Sequence, residues 1–244
     1  MTFPTGTLMM IGCGNMAGAM LRRWLEAGLP PTQVTVVDPA GPSLPEGARL
    51  LSAVPTDETA PDRLVLGFKP QQIAHIAPGR APVATGAIYS MLAGVELATL
   101  RTYFPDARAI VRLMPNMPVM LGKGAIGLAS DSPEERDAAT ALMAPLGLVE
   151  WLDAEDDFHA LTALSGSGPA FVYRFIDALA AAGRDLGLSA DQSLRLARAT
   201  VEGAGALAAI SDEDPGLLAD RVASPGGTTR EGLNVLDAES AILT

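Results

Sequence analysis

Two short stretches of this chain place glycine beside small uncharged residues where a helix begins, and both suit the binding of an anion. The first is Gly12-Cys13-Gly14-Asn15-Met16-Ala17, between the apolar run TLMMI and a helical pattern with Met20, Leu21, Trp24 and Leu25 on one face. Gly-x-Gly-x-x-Ala is the spacing of a dinucleotide-binding turn. Gly12 permits the tight turn, Gly14 lets the backbone approach a pyrophosphate, and Ala17 lets helix pack close on strand. The amides of Asn15 and Met16 open the helix toward the phosphates. Asp38 ends the strand QVTVVD (33–38), about 20 residues beyond the turn, where a carboxylate accepts hydrogen bonds from a ribose. The turn alone would also serve as an ordinary strand-to-helix connection; strand, helix and acid together point to NADH or NADPH. Asp38 repels a 2′-phosphate and the following PAGPS has no Arg or Lys to hold one, which favours NADH.

The second stretch is Ser224-Pro225-Gly226-Gly227-Thr228-Thr229. A Ser–Pro turn leads into Thr228-Thr229-Arg230-Glu231, which fits a capping box with the Thr228 hydroxyl at the cap and an acid three residues on. Amides and hydroxyls at such a helix head form an anion seat without a fixed charge. A cap by itself does not call for two adjacent glycines. The pair suggests close approach of a ligand to backbone, and a carboxylate is the expected occupant.

The elements that must position these groups alternate in the first half. Further strands are expected at RLVLGF (63–68), AIYSM (87–91), AIVRLM (109–114), AIGLA (125–129) and LVEWL (148–152), with a helix starting near Ser132. This pattern predicts a doubly wound parallel α/β sheet over residues 1–152, binding ligands at the carboxyl ends of its strands. Phe68-Lys69-Pro70-Gln71 and Met114-Pro115-Asn116-Met117-Pro118 sit at such ends and are expected to touch the cofactor.

Residues 153–244 read as all helix. EDDFHALTAL is interrupted by SGSG, Pro169 opens the next helix, and Phe171, Phe175, Leu179 and Ala182 form a stripe along it. Another helix spans about 190–210, where Gly203 and Gly205 cost stability unless something packs against them. A homodimer or larger homo-oligomer is expected, with a small molecule as the other partner.

The net charge of −11 argues against nucleic acid or an anionic membrane as partner. Cys13 is the single cysteine, so no internal disulfide forms, which fits a reducing compartment. There is no signal-like N-terminus and no apolar run of the roughly 18–20 residues that span a membrane. The expected location is the cytoplasm, and no metal site is read from the sequence.

The chemistry is constrained by what is missing. A nicotinamide enzyme that reduces a carbonyl must protonate an alkoxide. The helical half has no lysine; Lys69 and Lys123 are the only two in the chain. His159 and Tyr173 remain as donors, both in helical patterns where core or surface roles are more common. A protonated C=N becomes a neutral amine on accepting hydride, so a hydroxyl on the ring nitrogen suffices, from Thr229 or Ser224.

IGCGNMAGAM, FKPQ (68–71), VRLMPNMP (111–118), TALSGSGPAF (162–171) and SPGGTTREGL (224–233) together resemble the pyrroline-5-carboxylate reductase family over nearly the whole chain. The resemblance implies an N-terminal Rossmann domain and a C-terminal helical domain interlocked with a partner's. It implies an active site between the domains near the dimer interface, where 1-pyrroline-5-carboxylate is reduced to L-proline. By motif, Thr229 would hydrogen-bond the substrate nitrogen, while Ser224, Gly226, Gly227 and Thr228 would hold its carboxylate. Lys69, Pro70 and the Met114–Asn116 turn would line the nicotinamide side. The chain departs from the family at Met117, often Thr, and at Gly67-Phe68, usually Ala-Val. The family's adenosine-side asparagine has no counterpart near Val54–Asp57. The chain ends at Thr244 inside the expected final helix, implying a truncated helical domain. Two alternatives stay open: a reductase of a related cyclic imine or carbonyl compound, and a non-catalytic NAD-binding regulator on the same scaffold.

Overall fold

The computed structural model describes residues 3–55, 59–77 and 85–238. Positions 56–57 and the end of the final helix, on which two of the expectations above bear, lie outside them. The chain forms two compact units, Met1–Ala170 and Phe171–Thr244.

The first unit is built on one sheet. In chain order it contains β1 (Leu8–Ile11), α1 (Asn15–Glu26), β2 (Val34–Val37), β3 (Arg49–Leu51), β4 (Arg63–Leu66), α2 (Ile73–Ile76), β5 (Ala87–Ser90) and α3 (Leu97–Tyr103). It continues with β6 (Ala109–Met114), β7 (Gly124–Ser130), α4 (Arg136–Met143), β8 (Gly147–Trp151) and α5 (Asp157–Leu161). The sheet order is β3-β2-β1-β4-β5-β6-β7-β8. The direction of winding reverses at the β1–β4 pair, where Leu8 lies opposite Arg63 and Ile11 opposite Leu66.

The inner strands are apolar on both faces, as sheets covered by helices on both sides require. Met10, Val36, Val65, Tyr89 and Val111 join the core that holds Trp24 of α1 and Leu142 of α4. Met9, Ile11, Leu64, Ile88 and Ile110 join the opposite core with Leu100 and Phe104. Trp24 is fully buried, and its Nε1–H donates to the Leu142 carbonyl at 2.7 Å. That bond ties α1 to the end of α4, so the helix that opens at the glycine-rich turn is held at its far end.

Three features differ from the sequence expectations. β7 runs antiparallel to β6, with Met114 opposite Gly127, although every other pair is parallel. The connection 115–123 is too short for the crossover of about a dozen residues that a parallel return needs. β3 is an additional strand of three residues, Arg49–Leu51, paired among the described residues with β2 alone. The SGSG stretch widens the helix without breaking it. The chain runs from α5 through a π turn at Thr162–Gly166, in which Ser167 N–H donates to the Thr162 carbonyl at 2.9 Å, into α6 (Gly168–Asp185). Four residues before Pro169 the normal helical bond has no donor, and the extra residue is absorbed there.

The second unit contains the rest of α6, then α7 (Ala190–Ile210), α8 (Pro215–Val222) and α9 (Thr228–Ala238). A Ser189–Gln192 capping box opens α7, and Asp214 Oδ1 accepts the Gly216 N–H at 2.8 Å to open α8. Near the end of α6, Gly183 faces Ser193 so closely that an added Cβ would lie 2.9 Å from its hydroxyl, which sets a tight crossing of α6 and α7. Little else in this unit is buried. Phe171 and Phe175 are half-exposed, and Ile210 is 83% exposed. Among the described residues nothing lies within 4 Å of a Cβ placed on Gly203 or Gly205.

Candidate functional site

A cavity of about 810 Å³ opens at the carboxyl ends of the strands, around the reversal point between β1 and β4. This is where ligands bind in open α/β sheets. Gly12 follows β1, Asp38 follows β2, Lys69 and Pro70 follow β4, and Met114 and Pro115 end β6; all line it. Gly14, Asn15 and Met16 at the head of α1 line it as well. Ser52, Ala53 and Val54 complete the wall beyond β3. Sequence reasoning missed them because it missed the short strand that delivers them.

The two glycines of the turn are there for different reasons. Gly12 has φ +84°, and a Cβ would stand 2.8 Å from the Phe68 amide nitrogen, so the fold itself demands glycine. Gly14 has an ordinary φ of −69°, and nothing lies within 4 Å of where its Cβ would be. Among the described residues nothing requires glycine at 14; a Cβ there would enter the open cavity. The first turn of α1 carries no acidic residue and no side-chain cap, so its amides face the cavity unopposed. Burial and the Asp38 charge push the Cys13 thiol upward, with Arg22 partly offsetting them, so no thiolate competes with an anion here. These residues fit a dinucleotide pyrophosphate.

Asp38 does more than face the cavity. Its Oδ2 accepts the Cys13 N–H at 2.7 Å and its Oδ1 the Ala40 N–H at 2.9 Å. The carboxylate is therefore fixed in place and clamps the turn. Lys69 is exposed, and its N–H donates to Gln72 Oε1 at 3.2 Å, shaping the bend after β4. Asn116 is not in the cavity wall. It is 9% exposed, with Nδ2 donating to the Ser165 carbonyl and Oδ1 accepting from Ala125 N–H, each at 2.9 Å.

A second cavity of about 450 Å³ in the same unit shares Met114 with the first. Arg112 lies in it, ion-paired with Glu155 and 4.4 Å from the centre of the Phe158 ring. His159 lines it too, whereas Tyr173 is 61% exposed on α6.

In the second unit, Gly226 has φ +69°, and Gly227 N–H donates to the Ser224 carbonyl at 3.0 Å, closing the turn. The expected capping box does not form. Thr228 is already the first residue of α9, and the Gly227 carbonyl accepts the Glu231 N–H at 3.3 Å. The cap position thus falls one residue earlier, on glycine, which offers no side chain to the open amides. The hydroxyls of Thr228 and Thr229 have no partner among the described residues.

Comparison with known proteins matches both units. Residues 155–242 fit the family model described as pyrroline-5-carboxylate reductase dimerisation, and residues 7–93 fit one described as NADP oxidoreductase, coenzyme F420-dependent. A pyrroline-5-carboxylate reductase of Pseudomonas aeruginosa is 34% identical, the match covering 96% of this chain and 89% of that protein. One from Pisum sativum is 33% identical over 95% and 88%. The solved structure of a pyrroline-5-carboxylate reductase from Coxiella burnetii superposes with a TM-score of 0.88 at 29% identity, covering 98% of this chain and 92% of that one. A Plasmodium falciparum pyrroline carboxylate reductase, solved with NADP bound, gives a TM-score of 0.83 at 26% identity over the same shares. Among the described residues no helix is long and apolar enough to cross a membrane. With a third of its residues shared along almost its full length, and both units recognised, the chain belongs to the pyrroline-5-carboxylate reductase family.

Proposed function

We propose that this chain reduces 1-pyrroline-5-carboxylate to L-proline with a hydride from NAD(P)H. One observation carries the reading: the uncharged stretch Ser224–Thr229, with free Thr228 and Thr229 hydroxyls where α9 begins, accompanies a cavity in the sheet unit that fits a dinucleotide. The cofactor supplies hydride to the C=N carbon, which becomes C5 of proline. Gly14, Asn15 and Met16 hold the pyrophosphate through backbone N–H groups, and Gly12, whose own N–H donates to the Val37 carbonyl at 2.9 Å, makes the turn that aims them. Asp38 holds the adenosine ribose, and Lys69, Pro70, Met114 and Pro115 wall the nicotinamide side. The hydroxyls of Ser224 and Thr228 and the amides of Gly226 and Thr228 seat the substrate carboxylate at the α9 head, where Gly227, its N–H closing the turn, leaves room for it and the helix dipole favours a negative group. Thr229 hydrogen-bonds the ring nitrogen and orients the C=N. No side chain need deliver a proton to carbon or oxygen, which agrees with the lack of a lysine in the helical half.

Asp38 supports a preference for NADH. Two backbone amides pin its carboxylate in the cavity wall, where it cannot swing away from a 2′-phosphate. Residues 153–244 act as the substrate and dimerisation domain. The exposed Phe171, Phe175 and Ile210 and the uncovered Gly203 and Gly205 support a second copy packing there. A single cysteine supports residence in a reducing cytoplasm.

The test is spectrophotometric turnover of NADH and NADPH with the imine, repeated with proline-like carboxylates as competitors. Turnover, inhibition by the carboxylates and faster use of NADH are expected. A carbonyl substrate preferred to the imine, or cofactor binding without turnover, would overturn the reading.

A further inference from the structure

Asn116 does not line the cofactor cavity, yet its carboxamide is engaged at both ends, and both of its partners are backbone groups that other residues have left stranded. The first is the Ala125 N–H. In the β6–β7 register Met114 faces Gly127, so Asn116 faces Ala125 two residues further along. The ladder would continue with Ala125 N–H donating to the Asn116 carbonyl. That carbonyl is diverted: it accepts the Val119 N–H at 3.1 Å, starting the tight turn at Met117–Leu121. The Asn116 side chain takes its place, Oδ1 accepting from Ala125 at 2.9 Å.

The second stranded group is the Ser165 carbonyl. Its helical donor would be the amide four residues on, but that residue is Pro169, which has no N–H. Asn116 Nδ2 supplies the missing donor at 2.9 Å. Both partner residues are half-buried, and a backbone polar group shielded from water costs stability when left unpaired, so both bonds matter. One carboxamide thus joins two motifs whose spacing in sequence gives no hint of contact, MPNMP and LSGSGP. Met114 and Pro115, directly before Asn116, form the cavity wall at the end of β6.

We propose that Asn116 is a positioning residue. It holds the Met114–Pro115 wall in register with β7 and anchors that wall to the π turn, and so sets the cofactor's placement without touching it. The residue must donate at one end and accept at the other. Aspartate has the same shape but, when ionised, only accepts, and it opposes the Ser165 carbonyl. Protonated, its hydroxyl donates again.

This makes Asn116→Asp a reversible test. The activity arm rests on the reductase reading above; the exchange arm does not. In cofactor-free protein near neutral pH, amide hydrogen exchange should speed up both at Ala125 and across residues 162–170, while the β1 and β4 amides stay protected. With substrate, kcat should fall by roughly 10–100-fold, the range that small misplacement of reacting groups costs. The KM for the imine should change far less. The ratio of variant to wild-type kcat should climb back as pH is lowered and the introduced carboxylate takes up a proton. Pro169→Ala returns an N–H to the Ser165 carbonyl, so Asn116→Asp should cost less in that background; this pair also serves if the single variant does not fold. Wild-type-like exchange, faster exchange in only one of the two segments, or a pH-independent kcat ratio would each overturn the proposal. Absence of wild-type turnover would instead overturn the reductase reading and leave the exchange result to decide the role of Asn116.

Discussion

The heads of α1 and α9 use the same device and hold it in opposite ways. Each opens on glycine at the cap position, with no side chain closing the first turn. At α1 the turn is locked: Gly12 is wedged against the Phe68 amide, Asp38 clamps the Cys13 N–H, and Trp24 secures the helix to α4. At α9 a backbone bond from Gly227 to Ser224 closes the turn, and among the described residues an added Cβ on Gly226 would meet nothing within 4 Å. The Arg230–Asp220 pair at 2.7 Å ties the first turn of α9 back to α8. The proposed cofactor site is built into the core of a sheet. The proposed substrate site rests on a unit whose apolar side chains remain largely exposed, as suits a unit that packs on a second copy.

Substitutions at the two heads can break this comparison. The largest effect is expected from Gly14→Val. Its side chain enters space that the fold leaves open, so NADH affinity should fall by about a hundredfold or more, as for loss of several charge-assisted bonds, with little change in Tm. Gly12→Ala should do the reverse, costing about 1–3 kcal/mol of stability for a non-glycine residue at positive φ. Equal losses of stability in both variants would erase the distinction between a glycine kept for the ligand and one kept for the fold.

Next in size is Thr229→Ala, expected to lower kcat/KM by roughly 10–100-fold through loss of one transition-state hydrogen bond, with NADH affinity unchanged and Thr229→Ser retaining most activity. An unaltered rate would remove Thr229 from the mechanism. Asp38→Ser should raise the NADPH-to-NADH ratio of kcat/KM while weakening both cofactors, because the clamp on Cys13 is lost with the charge. A ratio that does not move would refute the reading of Asp38.

The smallest effect concerns pH. Asp62 accepts the Thr7 N–H at 2.7 Å and its hydroxyl at 3.0 Å, and the backbone bond chiefly holds its carboxyl below the usual value. A carboxyl lowered by folding adds stability above its unfolded value of about 4, and this is lost as pH falls through the lowered value. Asp62→Asn should therefore reduce Tm slightly near neutrality and make no difference in strong acid. A difference that persists in strong acid would contradict this assignment.

What could be read from the sequence follows the range of the interactions involved. The glycine turn, α1 and the long apolar strands are specified by local periodicity; Gly12, Gly14, Asp38, Lys69, Pro70, Met114 and Pro115 do line the cavity, whereas Gln71, Asn116, Met117 and Pro118 do not. The direction of β7 depends on the length of a connection. β3 exists because β2 offers an open edge; three residues of RLL carry no pattern of their own. TTRE matches a capping box in type, yet the preceding Gly-Gly lets the helix start one residue sooner. Asn116 reads as a cofactor contact by its place at a strand end. Its real partners, Ser165 and Ala125, become visible only when Pro169 and the diverted Asn116 carbonyl are traced in three dimensions.

The most direct test of the account is isotopic. NADH carrying deuterium at the transferable C4 position, supplied with 1-pyrroline-5-carboxylate and this protein, should give proline with one deuterium at C5, detected by NMR. Proline without that label, or oxidation of the cofactor with no proline formed, would contradict it.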